Sequence, residues 1–223
     1  MNIHTINVGI SNCYLIRDRG TVLIDAGVPG RINTFEKTFK SLDVAPGEIA
    51  AIIITHCHWD HVGSLKELRS LTGAKIIAHK KDADFLEKGE LIVPPGVTRW
   101  GKILGVLLKG VGRKASTEPY KVDIVLGEED YPLTEFGIPG KILFTPGHSH
   151  GSISVVLDTG EAFVGDTAMS GFPLTLGPNL PVFAEDLPAL KNSWQKLIDN
   201  GAKMIYPGHG KPFHIEKLIK KIL

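Results

Sequence analysis

Seven consecutive residues, Thr55-His56-Cys57-His58-Trp59-Asp60-His61, follow directly on the apolar run Ile49 to Ile54. The run is too short for a helix and reads as a buried strand, so the chain must deliver three imidazoles and a carboxylate at the end of a buried strand. Positions two apart in an extended chain point the same way, which lets His56 and His58 converge on one ion; on a helix they would stand about 200° apart. Asp60 and His61 cannot join them while the chain stays extended. A turn into a helix beginning near Val62 re-aims both toward a second ion. Desolvating four such groups side by side without a cation is costly, and imidazole with carboxylate suits zinc, with iron or manganese as substitutes. Cys57 points opposite to His56 and His58 in the extended segment and reads as packing.

The rest of the chain alternates strand and helix signals. Ile3 to Val8, Cys13 to Arg17 and Thr21 to Ile24 form a strand meander separated by turn residues. Helical spacing follows at Arg31 to Leu42, Gly63 to Leu71 and Lys80 to Lys88, with a strand at Lys75 to Ala78. Strand signals return at Val122 to Leu126, Lys141 to Phe144, Ser152 to Leu157 and Glu161 to Val164. A helix over Asp186 to Asn200, a strand over Lys203 to Tyr206 and a closing helix from His214 complete the pattern. No repeat or linker divides it, so one domain over 1–223 is expected, with sheets packed inside helices.

Composition restricts the class. Of 223 residues, 43% are hydrophobic and 22% charged, with a formal net charge of +1, which is an ordinary globular mix without a strongly basic or acidic partner. No nucleic acid is expected, and the oligomeric state is open. Two cysteines are too few for a disulfide framework. Met1 leads straight into a strand without a basic or apolar leader, and no apolar run spans a membrane, so a cytoplasmic location is expected.

Two ions need more donors than one segment offers. His148 in Thr-Pro-Gly-His, Asp166 in Val-Gly-Asp and His209 in Pro-Gly-His each lie just past a strand signal. Together with Asp25 in Ile-Asp-Ala-Gly and the His56–His61 cluster, these spaced motifs resemble those of the metallo-β-lactamase superfamily of hydrolases, in family order over nearly the whole chain. The resemblance implies an α/β fold, a four-layer αββα sandwich with the metal site at the edge of the two sheets. It places His56, His58 and His148 on a first ion, Asp60, His61 and His209 on a second, and Asp166 between both. Two divalent ions, two aspartates and a bridging hydroxide leave a single positive charge for an anionic substrate or oxyanion. Asp25 is then a carboxylate behind the ligands, holding their loops or an imidazole N–H; a turn residue before Gly27 is the simpler alternative. His150 competes with His148, but the Thr-Pro-Gly frame favours His148. His79 and His214 read as solvent-facing or capping residues, and His4 carries no motif.

The implied chemistry is hydrolysis by a metal-bridging hydroxide, with no Ser or Cys nucleophile required and Asp60 passing a proton to the leaving group. Family motifs leave the substrate open; a small thioester or lactone stands ahead of a phosphodiester. A secreted β-lactamase would need a signal peptide. RNA-processing members carry an added basic surface, and flavodiiron members have Glu where this chain has His58. Glutathione recognition is disfavoured because no Lys or Arg occurs from Ile142 through Leu190. A metal-containing binding or regulatory protein without turnover is the alternative from another class.

The segment at about 89–120, punctuated by Pro94, Pro95, Gly96 and Gly101, looks inserted. On a helix from Thr98 to Arg113, Trp100, Leu104, Leu107 and Val111 form one stripe and Lys102, Lys109 and Arg113 the opposite one. Arg99 to Lys121 holds six basic residues against Glu118 alone. An ordinary surface helix explains this, and Gly101, Gly105, Gly110 and Gly112 weaken the helix itself. The functional expectation is a lid, with Trp100, Leu104 and Leu107 meeting a small-molecule acyl substrate, or a contact of the 98–113 segment with a membrane surface.

Overall fold

The computed structural model describes residues 1–90, 95–112, 119–171, 174, 175, 177 and 180–222. The first half runs β1 (Asn2–Asn7), β2 (Asn12–Arg17), β3 (Thr21–Ile24), α1 (Ile32–Ser41), β4 (Ile49–Ile53), α2 (Trp59–Val62), α3 (Leu65–Thr72), β5 (Lys75–His79), α4 (Lys80–Lys88), α5 (Arg99–Gly112) and β6 (Ile124–Leu126). The second half runs β7 (Tyr131–Pro132), β8 (Gly140–Phe144), β9 (Ile153–Leu157), β10 (Glu161–Phe163), α6 (Leu187–Asp199), β11 (Met204–Tyr206), β12 (Phe213–His214) and α7 (Glu216–Ile222). Among the described residues, the strands form two six-stranded sheets, ordered β1 to β6 and β12 to β7. In the first, β3, β4, β5 and β6 are mutually parallel; in the second, β10 and β11 are the parallel pair.

Strands buried on both faces explain the near-continuous apolar runs, since neighbouring residues must serve opposite layers. Val22, Ile24, Ile53 and Ile77 face the second sheet, where they meet Ile142, Val155 and Phe163. Their neighbours Leu23, Ile52 and Ile76 turn outward onto Phe35 and Phe39 of α1, Leu65 and Leu68 of α3 and Leu86 of α4. The second sheet repeats the arrangement, with Leu143, Val156 and Ala162 packed against Trp194 and Leu197 of α6 and Leu218 of α7. Helix, sheet, sheet and helix thus make the expected four layers.

Several boundaries differ from the sequence reading. The helix after the histidine run starts at Trp59, three residues before the expected Val62, so Asp60 and His61 sit on its only turn. His214 pairs with Met204 as part of β12 and does not open the last helix. His79 is fully buried rather than solvent-facing; its Nδ1 accepts the Lys81 N–H to cap α4, and its ring stacks on Phe144. α5 forms despite its glycines, and Gly101 and Gly105 lie on its packing side. A Cβ on Gly101 would lie 2.0 Å from the Val182 carbonyl oxygen, and one on Gly105 would touch the Phe183 ring at 3.5 Å. Trp100, Ile103 and Val106 consequently face outward, and the Trp100–Leu104 stripe is the flank of the helix, not its buried side. No helix among the described residues is long and apolar enough to cross a membrane.

Phe163 anchors the layer between the sheets, its ring 5.0 Å from Tyr14 and 4.9 Å from Tyr206. Phe163→Ala is expected to cost about 3–5 kcal/mol of unfolding free energy, read as a lower urea midpoint at unchanged slope. A loss below about 1 kcal/mol would mean that the sheets close over the cavity.

Candidate metal centre

The strands place the polar motifs at one edge of both sheets. β3, β4, β8, β10 and β11 all end toward it, and the loops that follow carry Asp25, Thr55 to His61, His148, Asp166 and His209 in turn. The sheets are tied there by main-chain hydrogen bonds from Ile153 to Thr55 and from Asn12 to Gly208. Close approach requires glycine at two points. A Cβ on Gly165, which has φ +49°, would lie 2.4 Å from Thr55 Oγ1, and one on Gly208 would lie 2.6 Å from both Asp166 Oδ1 and His61 Cε1.

The loops bring all seven predicted ligands together in two groups, His56, His58, His148 and Asp166, and Asp60, His61 and His209, with the ligand atoms of each group within 4.8 Å of one another. All seven are buried. Asp166 Oδ2 lies 3.9 Å from His56 Nε2, 3.6 Å from His148 Nε2 and 3.4 Å from His209 Nε2, while Oδ1 lies 3.4 Å from His61 Nε2. His148 Nε2 stands 3.0 Å from His58 Nδ1, and His209 Nε2 stands 3.1 Å from Asp60 Oδ2.

Groups behind the rings fix which nitrogen faces inward. His148 Nδ1 donates to the Phe183 carbonyl at 2.9 Å and His209 Nδ1 to the Ile10 carbonyl at 2.6 Å. Carbonyls only accept, so both rings keep their Nδ1 protons and aim Nε2 at the cluster. Asp25 does the same for His61, whose Nδ1 lies 2.8 Å from Oδ2. It also accepts the Thr55 N–H at 2.8 Å and the Thr55 hydroxyl at 2.8 Å, which leaves the hydroxyl oxygen to accept His56 Nδ1–H at 3.1 Å. Asp25 thus holds two imidazoles, one through Thr55, from a backbone with φ +62°.

His56 Nε2, His61 Nε2 and Asp166 Oδ1 are buried without a hydrogen-bond partner. Orphaned buried polar atoms of this kind are rare in a folded core. Three of them, brought onto a shared space by the loop after β4 and the loop after β10, fit divalent cations held by His and Asp. The electrostatics divide the groups. Burial pushes His56 and His58 down, His58 to about 3, and neighbouring imidazoles add to the shift; burial also lowers His148 against the pull of Asp166. For His61 and His209 burial is outweighed by the carboxylates of Asp166 with Asp25 or Asp60, which lift His61 well above its usual range and His209 to about 10. Asp60 is held down to about 2 because His209 and His61 outweigh its burial.

Other expected positions fall outside the cluster. His150 is exposed and pairs with Glu185 at the rim. Cys57 packs in the core between the first sheet and its helices, where burial raises its thiol pKa. Trp100 is exposed on α5 and Leu104 half-buried; the side chain of Leu107 lies outside the described residues. The sequence reading included Thr55 in the run without giving it a role, and it missed Asp82 and the Phe183 and Ile10 carbonyls. A carbonyl carries no sequence signal.

The profile of the Metallo-beta-lactamase superfamily matches residues 6–209. The chain belongs to this superfamily. It is 29% identical over 206 residues to "Probable metallo-hydrolase MJ0888" of Methanocaldococcus jannaschii, covering 90% of this chain and 88% of that protein. It is 32% identical over 213 residues to the uncharacterized protein YobT of Bacillus subtilis, covering 90% and 83%. Solved structures share its fold. BLEG-1 B3 metallo-beta-lactamase superposes with a TM-score of 0.72 at 23% identity, covering 98% of this chain and 97% of that one. ST1585 from Sulfolobus tokodaii gives 0.68 at 23% identity, covering 99% and 84%.

Without an ion, His61 and His209 hold Nε2 protons at neutral pH, and seating a cation beside Asp60 must displace them. His56, His58 and His148 are already uncharged, each ring keeping a single N–H. In chelator-competition titrations between about pH 6 and 8, one zinc equivalent should gain about tenfold or more in affinity per pH unit while the other stays nearly level. Equal slopes for both would contradict this distribution of protons.

Proposed function

We propose that this chain, a metal-dependent hydrolase of the metallo-β-lactamase superfamily, works with two divalent ions, zinc in the first place, on a small ester-type bond. The observation that carries the reading is Asp166, one buried carboxylate within 3.9 Å of imidazole nitrogens from both groups. His56, His58 and His148 would hold one ion, Asp60, His61 and His209 the other, and Asp166 both. Bound ions of this kind supply a water acidic enough to attack at neutral pH and stabilise the oxyanion that develops. Asp60 stays ionised and beside His209, and Ser11 donates to its main-chain carbonyl at 2.7 Å, so its carboxylate is fixed where it can orient the nucleophile and accept a proton. Tautomers locked by Asp25, Thr55, Phe183 and Ile10 keep the inward nitrogens aimed without reorganisation.

Thioesters and lactones stand ahead of phosphodiesters as substrates. Metal-reconstituted protein assayed on a thioester, a lactone, a β-lactam and bis-p-nitrophenyl phosphate should turn over one of the first two fastest, with about two ions bound per chain. Two bound ions with silence on all four would favour a binding or regulatory role instead. Asp166→Ala should lose both ions and all hydrolysis, whereas His150→Ala should keep its metal.

The position of α5 supports a role in holding the acyl part of the substrate. It packs on Val182 and Phe183, and the Phe183 carbonyl orients His148, so the helix stands one residue removed from the centre. Deleting it would therefore disturb His148, and point changes make the cleaner test. Trp100→Ala is expected to raise KM for long acyl substrates about tenfold, with kcat on a small chromogenic ester unchanged. Loss of binding to anionic vesicles in the same variant, with no KM effect, would assign the face to a membrane surface.

A further inference from the structure

Asp82 is a charged residue in the first turn of α4, in a stretch that reads as an ordinary solvated helix start. Its side chain is buried, 3% exposed, and it lies outside the seven-residue cluster. Its oxygens reach two separate ligand loops. Oδ2 accepts the Cys57 N–H at 2.7 Å, and Cys57 is the residue between His56 and His58. The Ser149 hydroxyl, next to His148, lies 3.3 Å from Oδ1 and 3.2 Å from Oδ2. The Gly151 N–H bonds to the same carboxylate, and a Cβ at Gly151 would lie 2.1 Å from Oδ1, so the His148 loop is drawn tightly onto it.

The need for such a group follows from the local chain. β4 ends at Ile53, and Thr55 to His58 run without strand pairing, so the amides there need acceptors from elsewhere. Asp25 takes Thr55 and Asp82 takes Cys57. The His56–His58 segment is hung between two buried carboxylates, and only Asp82 also grips the loop of His148. Burying a carboxylate is costly unless its lone pairs are filled, and burial does raise Asp82 to about 6 against its three hydrogen bonds. An apolar residue would fill the space without that cost but would leave the Cys57 amide and the His148 loop unheld.

We propose that Asp82 is a positioning residue, which sets the separation of the His56–His58 segment from His148 and thereby the affinity and coordination geometry of the ion those histidines hold. This rests on the metal-centre reading above. Asp82→Asn keeps the shape but can turn only one acceptor oxygen toward its donors, setting an amide N–H₂ against the Gly151 N–H or the Cys57 N–H.

The test is cobalt titration of the full chain, followed by visible absorption, with zinc affinity from chelator competition and thermal melting of the metal-free protein. Asp82→Asn is expected to weaken one of the two metal equivalents, the one His56, His58 and His148 would hold, by about tenfold and to shift the cobalt bands. Ser149→Ala, which removes one leg of the clamp, should move both readouts the same way and less. Leu86→Ala, on the same helix and fully buried, should lower the melting temperature with no spectral shift. If Asp82→Asn behaves as Leu86→Ala does, its role is stability alone and the proposal fails. Should Asp82→Asn not fold, Ser149→Ala decides by the same two readouts. A wild-type chain that binds no cobalt would instead overturn the metal-centre reading itself, an outcome visible before any variant is compared.

Discussion

The structure depends on one buried carboxylate, Asp166, set among imidazole nitrogens from three different loops. A charge in that position is stable only if cations neutralise it, either protons on His61 and His209 or metal ions. Everything around it serves that balance. The first sheet brings the His56–His61 run, the second brings His148, Asp166 and His209, and neither sheet could complete either group alone. Joining the sheets edge to edge at Thr55, Ile153, Asn12 and Gly208 is therefore a condition of the chemistry as well as of the fold.

Behind the inward-facing atoms lies a second set of contacts that makes the site rigid. Asp25, Thr55 and the carbonyls of Phe183 and Ile10 fix the Nδ1 protons, and Asp82 holds the main chain on either side of the first group. Preorganised ligands and dipoles need no rearrangement as charge develops, which is where such sites gain their effect. Glycines at 165 and 208 permit the approach, since a methyl group at 208 would strike both Asp166 and His61.

α5 shows how composition can mislead. Its four glycines argue against a helix by intrinsic propensity, yet Gly101 lets its backbone settle against Val182 closer than any side chain would allow, with Gly105 beside the Phe183 ring. The tertiary contact outweighs the propensity. The same contact turns Trp100, Ile103 and Val106 outward and leaves Leu104 of the apolar stripe half-buried.

The sequence by itself determined the donor set, and through its family resemblance the layer order. Ligand types, the extended spacing of His56 and His58, and apolar runs ending in Thr55, Pro-Gly-His and Gly-Asp are local, and local patterns can be read residue by residue. The four-layer sandwich was implied by the resemblance of the spaced motifs to those of the metallo-β-lactamase superfamily. Only the tertiary structure decided which atoms face the centre and what holds them there. The start of α2 at Trp59 and the burial of His79 follow from packing, and the carbonyl acceptors at Ile10 and Phe183 and the clamp at Asp82 join positions 25 to 199 residues apart. A carbonyl is common to every residue and an aspartate in a helix's first turn looks solvated, so nothing but the packing of the two sheets could reveal that these groups are buried and aimed.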